Sequence, residues 1–355
     1  MARESFAIGG VRVRAGASRP VELPLTRLVT GGDVSIPVQV VHGREPGPVV
    51  WVNAAIHGDE VVGVEVIRRV LGQLSAKTLR GTLVAVPVVN VLGFMTGDRY
   101  LPDRRDLNRS FPGSARGSLA SRIAHLFMTE VVAKCELGID LHTAADRRAN
   151  LPQVRADLDD AETRRFALAF GAPVALHASL RDGSLRQAAR AAGARVLVYE
   201  GGEALRFDDE SISTGVAGVL RVLDALDMLP EEALSPAGPA GPADAAGEEP
   251  IAASPVTLVS RASGWVRARG SGILQLDVQL GDLVEEGRRL GGISDTLGRR
   301  IRLVHADRAG IIVGLNRAPL VNIGDAVIHI AAVDEDQPGN IADDRLLTSR
   351  RQGGR

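Results

Sequence analysis

Two histidines and a glutamate have the residue types and spacing of a catalytic metal site. His57 and Glu60 lie three residues apart, and His142 follows much later in the sequence. Two imidazoles and one carboxylate can fill three positions of a tetrahedral Zn²⁺ shell, which leaves the fourth position for water. We therefore predict that His57, Glu60 and His142 bind one Zn²⁺ per chain in a hydrolytic site.

A second polar motif, Asp106-Leu107-Asn108-Arg109, has the residue types needed to bind a substrate and to support a metal ligand. The guanidinium of Arg109 is a planar fork that suits a carboxylate, and Asn108 adds a neutral donor beside it. Zinc-bound imidazoles usually donate their second N–H to a carboxylate or carbonyl. Asp106 is the first choice for that partner, and Asp140, two residues before His142, is the alternative.

Apolar runs that precede these motifs predict the elements that position them. Residues 49–56, 83–89, 137–141 and 195–199 have the composition of buried strands, and residues 64–74 and 118–135 have helical spacing. This alternation predicts an α/β fold with a mostly parallel central sheet and helices on both faces. Because ligands bind at the carboxyl ends of such strands, His57, His142 and Glu200 are expected to converge in one crevice.

Four motifs together resemble the succinylglutamate desuccinylase/aspartoacylase family, which is related to the zinc metallocarboxypeptidases. They are Ala55-Ile56-His57-Gly58-Asp59-Glu60, the run from Asp106 to Gly113, Asp140-Leu141-His142-Thr143, and Tyr199-Glu200. The resemblance covers about residues 30–230 and implies a zinc-carboxypeptidase-like fold.

The resemblance also implies a role for each site residue. His57, Glu60 and His142 would hold Zn²⁺, and Glu200 would be the general base. Asn108 and Arg109 would bind the substrate carboxylate. One arginine from the preceding loop would polarise the scissile carbonyl; Arg99 is our choice, with Arg104 and Arg105 as alternatives.

Composition shifts divide the chain into four parts. Residues 1–234 are predicted to form the catalytic domain, with an antiparallel β lead-in over residues 6–42, and residues 235–255 form a Pro/Ala/Gly linker. Short strands over residues 256–332 predict a small all-β sandwich with a core of its own, and residues 333–355 are expected to be a disordered tail. The β domain resembles a biotinyl/lipoyl-like fold. No lysine follows Lys134, which excludes a carrier of lysine-linked biotin or lipoate.

The bulk properties exclude several classes of function. The net charge is −1, so a nucleic-acid partner is not expected. The sequence lacks a signal-peptide core and an apolar run of membrane-spanning length, which predicts a cytoplasmic protein without a membrane partner. The single cysteine, Cys135, excludes an intramolecular disulfide.

These observations lead to one main hypothesis and two alternatives. The main hypothesis is a zinc-dependent amidohydrolase that cleaves the amide bond of an N-acyl amino acid or a related small carboxylate. The first alternative is a zinc carboxypeptidase acting on short or γ-glutamyl peptides. The second is a non-catalytic ligand-binding protein, which is disfavoured because neither a ligand nor the base is missing. Homo-oligomerisation is left open.

Overall fold

A computed structural model describes residues 3–230 and 256–333 of the chain. The linker predicted for residues 235–255 lies outside these ranges, as does the predicted tail except for Val333. Before the gap, the strands are β1 (Phe6–Ile8), β2 (Val11–Val13), β3 (Ala17–Arg27), β4 (Asp33–His42), β5 (Glu45–Ala54), β6 (Arg80–Val86), β7 (Leu137–His142), β8 (Arg148–Ala156), β9 (Val174–His177) and β10 (Arg195–Glu203).

Within residues 3–230, six α-helices and two short 3₁₀ turns connect these strands. The helices are α1 (Val62–Gln73), α2 (Val91–Thr96), α3 (Leu119–Glu130), α4 (Ala161–Phe170), α5 (Leu185–Ala191) and α6 (Asp209–Ala225), and the turns are Leu107–Arg109 and Val132–Lys134. None of the helices in the described ranges is long and apolar enough to cross a membrane.

The central sheet is mixed and has a parallel middle. Strands β6, β5, β7 and β10 are neighbours in that order and all run parallel. Antiparallel strands extend both sides, with β4 and β3 beyond β6 and β8 beyond β10. The buried faces of α1, α4 and α6 contribute to one apolar core, and those of α3 and α5 contribute to the other. Two cores on one sheet confirm the predicted α/β class with helices on both faces.

The strands that precede the parallel part of the sheet run antiparallel. Strand β3 pairs with β4 along most of its length, and β4 then pairs with β6. Alternate residues of β3, from Val21 to Leu25, are buried, while the residues between them are exposed. That alternation is typical of a sheet with one face on the core.

Residues 256–333 form nine short strands with a separate apolar core. The strands are β11 (Leu258–Ser260), β12 (Ser263–Arg267), β13 (Gly272–Leu276), β14 (Leu283–Val284), β15 (Arg289–Ser294), β16 (Arg300–His305), β17 (Gly310–Asn316), β18 (Leu320–Val321) and β19 (Ala326–Ala331). Strands β16, β15, β13 and β18 form a four-stranded sheet.

The β domain joins the central sheet rather than standing apart from it. Strand β17 pairs antiparallel with β8, and β11 pairs parallel with β9. The order β12-β19-β17-β8-β10 is therefore continuous across the two parts of the chain. The small core of its own was predicted, but this backbone pairing was not.

Candidate metal centre and active site

Loops at the carboxyl ends of parallel strands bring the predicted metal ligands together. His57 and Glu60 lie between β5 and α1, and His142 is the last residue of the neighbouring strand β7. Gly58 lies against α2, where a Cβ atom would come within 2.0 Å of the Gly93 carbonyl carbon. Only glycine fits that approach, which fixes the path of the loop between the two candidate ligands.

Glu60 lies between the two imidazoles. Its Oε1 is 2.7 Å from Nδ1 of His57, and its Oε2 is 2.6 Å from Nδ1 of His142. One ligand atom from each residue lies within 4.8 Å of the other two, and all three residues are buried. Imidazole nitrogens and carboxylate oxygens are both established ligands of Zn²⁺, so these residues fit a bound metal ion.

The electrostatics of this group follow from the buried charges. Burial alone would raise the pKa of Glu60, but His57 and His142 outweigh it and hold that pKa well below its usual range. Burial opposes the charge on His142, yet Asp140 and Glu60 raise its pKa well above the ordinary value. A carboxylate that stays ionised is ready to bind a cation, and metal binding would displace protons from the imidazoles.

Each histidine also contacts its own second carboxylate. Nε2 of His57 is 3.2 Å from Oδ1 of Asp106, and Nε2 of His142 is 2.9 Å from Oδ2 of Asp140. The two aspartates therefore contact different histidines, whereas the sequence analysis treated them as alternatives for one role. Such contacts leave Nδ1 of both imidazoles facing Glu60.

Asp140 is part of a longer buried chain of hydrogen bonds. Its Oδ1 accepts a 2.6 Å hydrogen bond from Nδ2 of Asn53, whose Oδ1 in turn accepts from Nε1 of Trp51 at 2.8 Å. All three residues are almost fully buried. Side chains from β5 thus fix the orientation of a β7 carboxylate and, through it, the ring of His142.

Among the three arginines considered for the carbonyl-polarising role, Arg99 contacts the candidate metal group. Its guanidinium lies 3.3 Å from Oε1 of Glu60 and 3.3 Å from Oδ2 of Asp106. Arg104 and Arg105 are exposed, and Arg105 faces Asp103 instead.

Asn108 and Arg109 lie on the short turn that follows Asp106. Oδ1 of Asn108 accepts a 2.9 Å hydrogen bond from the backbone N–H of Leu185, the first residue of α5. Arg109 is exposed, and its guanidinium donates to the carbonyl of Asn108. Its charge also contributes to the lowered pKa of Asp106, after the effects of His57 and Arg99. Arg109 therefore has solvent access beside the candidate metal group.

Glu200 lies on β10, in register with His142 on the parallel strand β7. Oε2 of Glu200 accepts a 2.7 Å hydrogen bond from Nδ2 of Asn150, and Oε1 is 3.4 Å from Nε of Arg155. Its side chain is 19% exposed, so water can reach it. This placement puts a carboxylate one strand away from a candidate metal ligand.

Sequence reasoning missed three polar residues around Glu200. Asn150 and Arg155 lie on β8, for which no strand was predicted, and Arg186 lies at the start of α5. The pKa of Arg186 is lowered mainly by burial, and the positive charge of Arg155 lowers it further. The signal available in the sequence was the Asn150-Leu151-Pro152-Gln153-Val154-Arg155 run, in which polar and apolar residues are mixed.

An α/β sheet with two histidines and a glutamate at its carboxyl edge defines a candidate metallohydrolase. The succinylglutamate desuccinylase/aspartoacylase catalytic domain matches residues 46–226, more than half of the chain. The chain belongs to this family of deacylases.

Two groups of relatives agree with this assignment. The Nα-acetyl-L-2,4-diaminobutyric acid deacetylase of Halomonas elongata is 30% identical over 316 residues, covering 86% of this chain and 87% of the relative. The succinylglutamate desuccinylase of Pseudomonas aeruginosa strain PAO1 is 28% identical over 129 residues, covering 34% of this chain and 38% of the relative.

Solved structures share the fold over both parts of the chain. A succinylglutamate desuccinylase/aspartoacylase from Rhodobacter sphaeroides has a TM-score of 0.74 at 26% identity, covering 89% of this chain and 96% of the other. The ectoine utilization protein EutE (DoeB) from Ruegeria pomeroyi, bound to its product, has a TM-score of 0.75 at 24% identity, covering 89% and 95%. The second likeness concerns the fold alone.

Proposed function

We propose that the protein is a zinc-dependent deacylase that hydrolyses the amide bond of a small N-acyl amino acid. The observation that carries this proposal is the buried His57-Glu60-His142 group, whose ligand atoms lie within 4.8 Å of one another. Membership of a deacylase family supports the amide bond as the target. We propose one Zn²⁺ per chain, held by these three residues.

Zn²⁺ bound there would supply a Lewis acid that lowers the pKa of water and polarises a carbonyl oxygen. Arg99 is proposed to assist at the carbonyl, because its guanidinium already lies beside Glu60 and Asp106. A cation at this position stabilises negative charge that develops on the oxygen during attack.

Glu200 is proposed as the general base. Asn150 donates to Oε2, and among the described residues no hydrogen bond is made to Oε1. Oε1 faces Nε of Arg155 at 3.4 Å, and we propose that it accepts a proton from the attacking water and returns it to the leaving amine. A base of this kind contributes about 10²–10⁴-fold to the rate.

Arg109 and Asn108 are proposed to bind the substrate carboxylate. Arg109 is exposed beside the candidate metal group, so a substrate can reach its guanidinium without displacing a buried ion pair. The amide of Asn108 keeps its N–H donors after Oδ1 binds the N-terminus of α5. The relative from Halomonas elongata makes Nα-acetyl-2,4-diaminobutyrate the first substrate to test.

A cytoplasmic location remains a prediction.

The test is hydrolysis by zinc-loaded protein of a panel of N-acetyl, N-succinyl and γ-glutamyl amino acids. We expect release of a free amino acid from at least one N-acyl compound, and loss of at least about 100-fold in kcat in Glu200→Gln with zinc retained. Cleavage of short peptides in preference to every N-acyl amino acid would instead favour a carboxypeptidase. Loss of zinc from Glu200→Gln would show that Glu200 is a ligand rather than a base.

A further inference from the structure

Strand β8 lies between the strand that carries Glu200 and a strand of the β domain. Glu200 on β10 pairs with Gln153, whereas Gly202 pairs with Asn150. Two residues of β8, Leu151 and Pro152, therefore oppose one residue of β10. This arrangement is a β-bulge, which re-aims side chains and tolerates a proline that cannot donate a ladder hydrogen bond.

The bulge directs Asn150 at the proposed base. Asn150 is 6% exposed, and its side-chain amide donates to Oε2 of Glu200 over 2.7 Å. Hydrogen bonds to a charged acceptor are short and directional, so this contact restricts the rotation of the Glu200 carboxylate. The other oxygen, Oε1, faces Nε of Arg155 at 3.4 Å and is the one proposed for proton transfer.

The opposite side of Asn150 is closed by the β domain. Asn150 pairs with Gly314 on β17, and a Cβ atom at position 314 would lie 3.1 Å from Oδ1 of Asn150 and 3.1 Å from Cβ of His329. A side chain at position 314 would therefore press on the amide of Asn150 and on the side chain of His329. Asn150 thus packs against β17 on one side and donates a hydrogen bond to β10 on the other.

Three further contacts hold β17 and the residue after it against this region. Past the bulge, Nε2 of Gln153 donates to the carbonyl of Val313 at 3.0 Å. At the other end, Nε of Arg317 lies 3.2 Å from Glu203, three residues after Glu200, and the backbone N–H of Arg317 donates to the carbonyl of Arg147. Side chains and backbone thus fasten the β domain on both sides of Asn150.

We propose that Asn150 is a positioning residue for Glu200 and that β17 of the β domain holds it in place. This inference rests on the proposed function, in which Glu200 is the base. It gives the β domain a role in catalysis without any contact with substrate.

The kinetic test compares Asn150→Leu with Asn316→Leu in zinc-loaded protein. Asn316 undergoes the same chemical change on the facing strand β17, but its side chain accepts from Ala318 rather than contacting Glu200. For Asn150→Leu we expect kcat to fall about tenfold, the scale of one hydrogen bond to a charged group, with KM and zinc content unchanged. Asn316→Leu should keep the wild-type kcat. Wild-type kcat in Asn150→Leu would overturn the proposal.

A double-mutant cycle separates positioning from a general structural effect. Once Glu200→Gln has removed the carboxylate, adding Asn150→Leu should have no further effect on kcat. A further tenfold loss in that background would mean that Asn150 acts through the fold and not through Glu200. Wild-type activity in Glu200→Gln alone would instead refute the base assignment in the proposed function.

A crystal structure of Asn150→Leu tests the same point without activity. We expect the Glu200 carboxylate to leave its position beside Arg155 or to occupy several rotamers. An unmoved, well-ordered Glu200 would overturn the proposal. Should Asn150→Leu fail to fold, Gly314→Ala is the second variant, because its Cβ presses on Oδ1 of Asn150 and should displace Glu200 in the same way.

Discussion

Replacing each second carboxylate by its amide should weaken zinc binding to different extents. Asp140 is 1% exposed and uses both oxygens, one for Asn53 and one for His142. The amide introduced by Asp140→Asn has only one acceptor oxygen, so its NH₂ must face either the Asn53 amide or the His142 N–H. One buried donor is then left unpaired, and the negative charge that supports the imidazole is lost.

The expected magnitude follows from burial. An unpaired buried donor costs about 1–3 kcal/mol, and loss of a partner to a metal-binding histidine weakens metal affinity by about 10–100-fold. Asp106 has a side chain that is 18% exposed, so water can replace part of its contact with His57. We therefore expect about 100-fold weaker zinc binding for Asp140→Asn and about tenfold for Asp106→Asn.

The assay is competition for zinc between the protein and a chromophoric chelator at pH 7.5. Asp146→Asn is the matched control, because Asp146 follows β7 closely but its side chain is 80% exposed and faces Arg147. The control should bind zinc like the wild type. If Asp106→Asn lost more affinity than Asp140→Asn, or if Asp140→Asn lost none, the burial argument would be refuted.

Three further predictions concern the substrate clamp, a buried histidine and the β domain. Arg109→Ala should retain zinc but raise KM for carboxylate substrates, because the proposed contact between Arg109 and the substrate carboxylate is present in both the ground state and the transition state. An unchanged KM would show that Arg109 does not bind the substrate carboxylate. Burial, with the charges of Arg155, Arg308 and Arg148, lowers the pKa of His329 to about 3, so the unfolded chain binds the proton more readily between pH 6.5 and 3. As the pH is lowered through that window, the free energy of unfolding should decrease by up to about 1.4 kcal/mol per pH unit. Urea unfolding at pH 7 and pH 5 should show a smaller decrease for His329→Gln than for the wild type. Deletion of residues 256–355 removes β17 from β8 and β11 from β9, so the remaining protein should be aggregated or have a lower Tm. A truncated protein as stable as the full chain would contradict this expectation.

The parallel strands were predictable because they are buried on both faces. Strands β5 and β7 read as continuous apolar runs that end at His57 and His142, so both the sheet and its carboxyl edge could be located from the sequence. Strand β8 could not be located in this way. It carries Asn150, Pro152, Gln153 and Arg155, and its three polar side chains contact neighbouring strands that are distant in the sequence.

The sequence could not decide which side chains contact one another at the site, because those contacts depend on the direction of each side chain. The sequence places Asp106 and Asp140 near the histidines, but only the folded chain shows that they contact different imidazoles. The same holds for the β domain. Its core could be predicted from short strands, whereas the pairing of Gly314 with Asn150 joins residues more than a hundred positions apart and has no local signature.

Zinc titration of activity tests most directly whether His57, Glu60 and His142 hold a catalytic metal. Metal-free protein would receive increasing Zn²⁺ while hydrolysis of Nα-acetyl-2,4-diaminobutyrate, or of the best substrate in the panel, is followed. Activity should rise linearly and level off at about one zinc ion per chain, and His142→Ala should not recover activity over the same range. Full activity in metal-free protein, or recovery of His142→Ala at the same stoichiometry, would contradict the account.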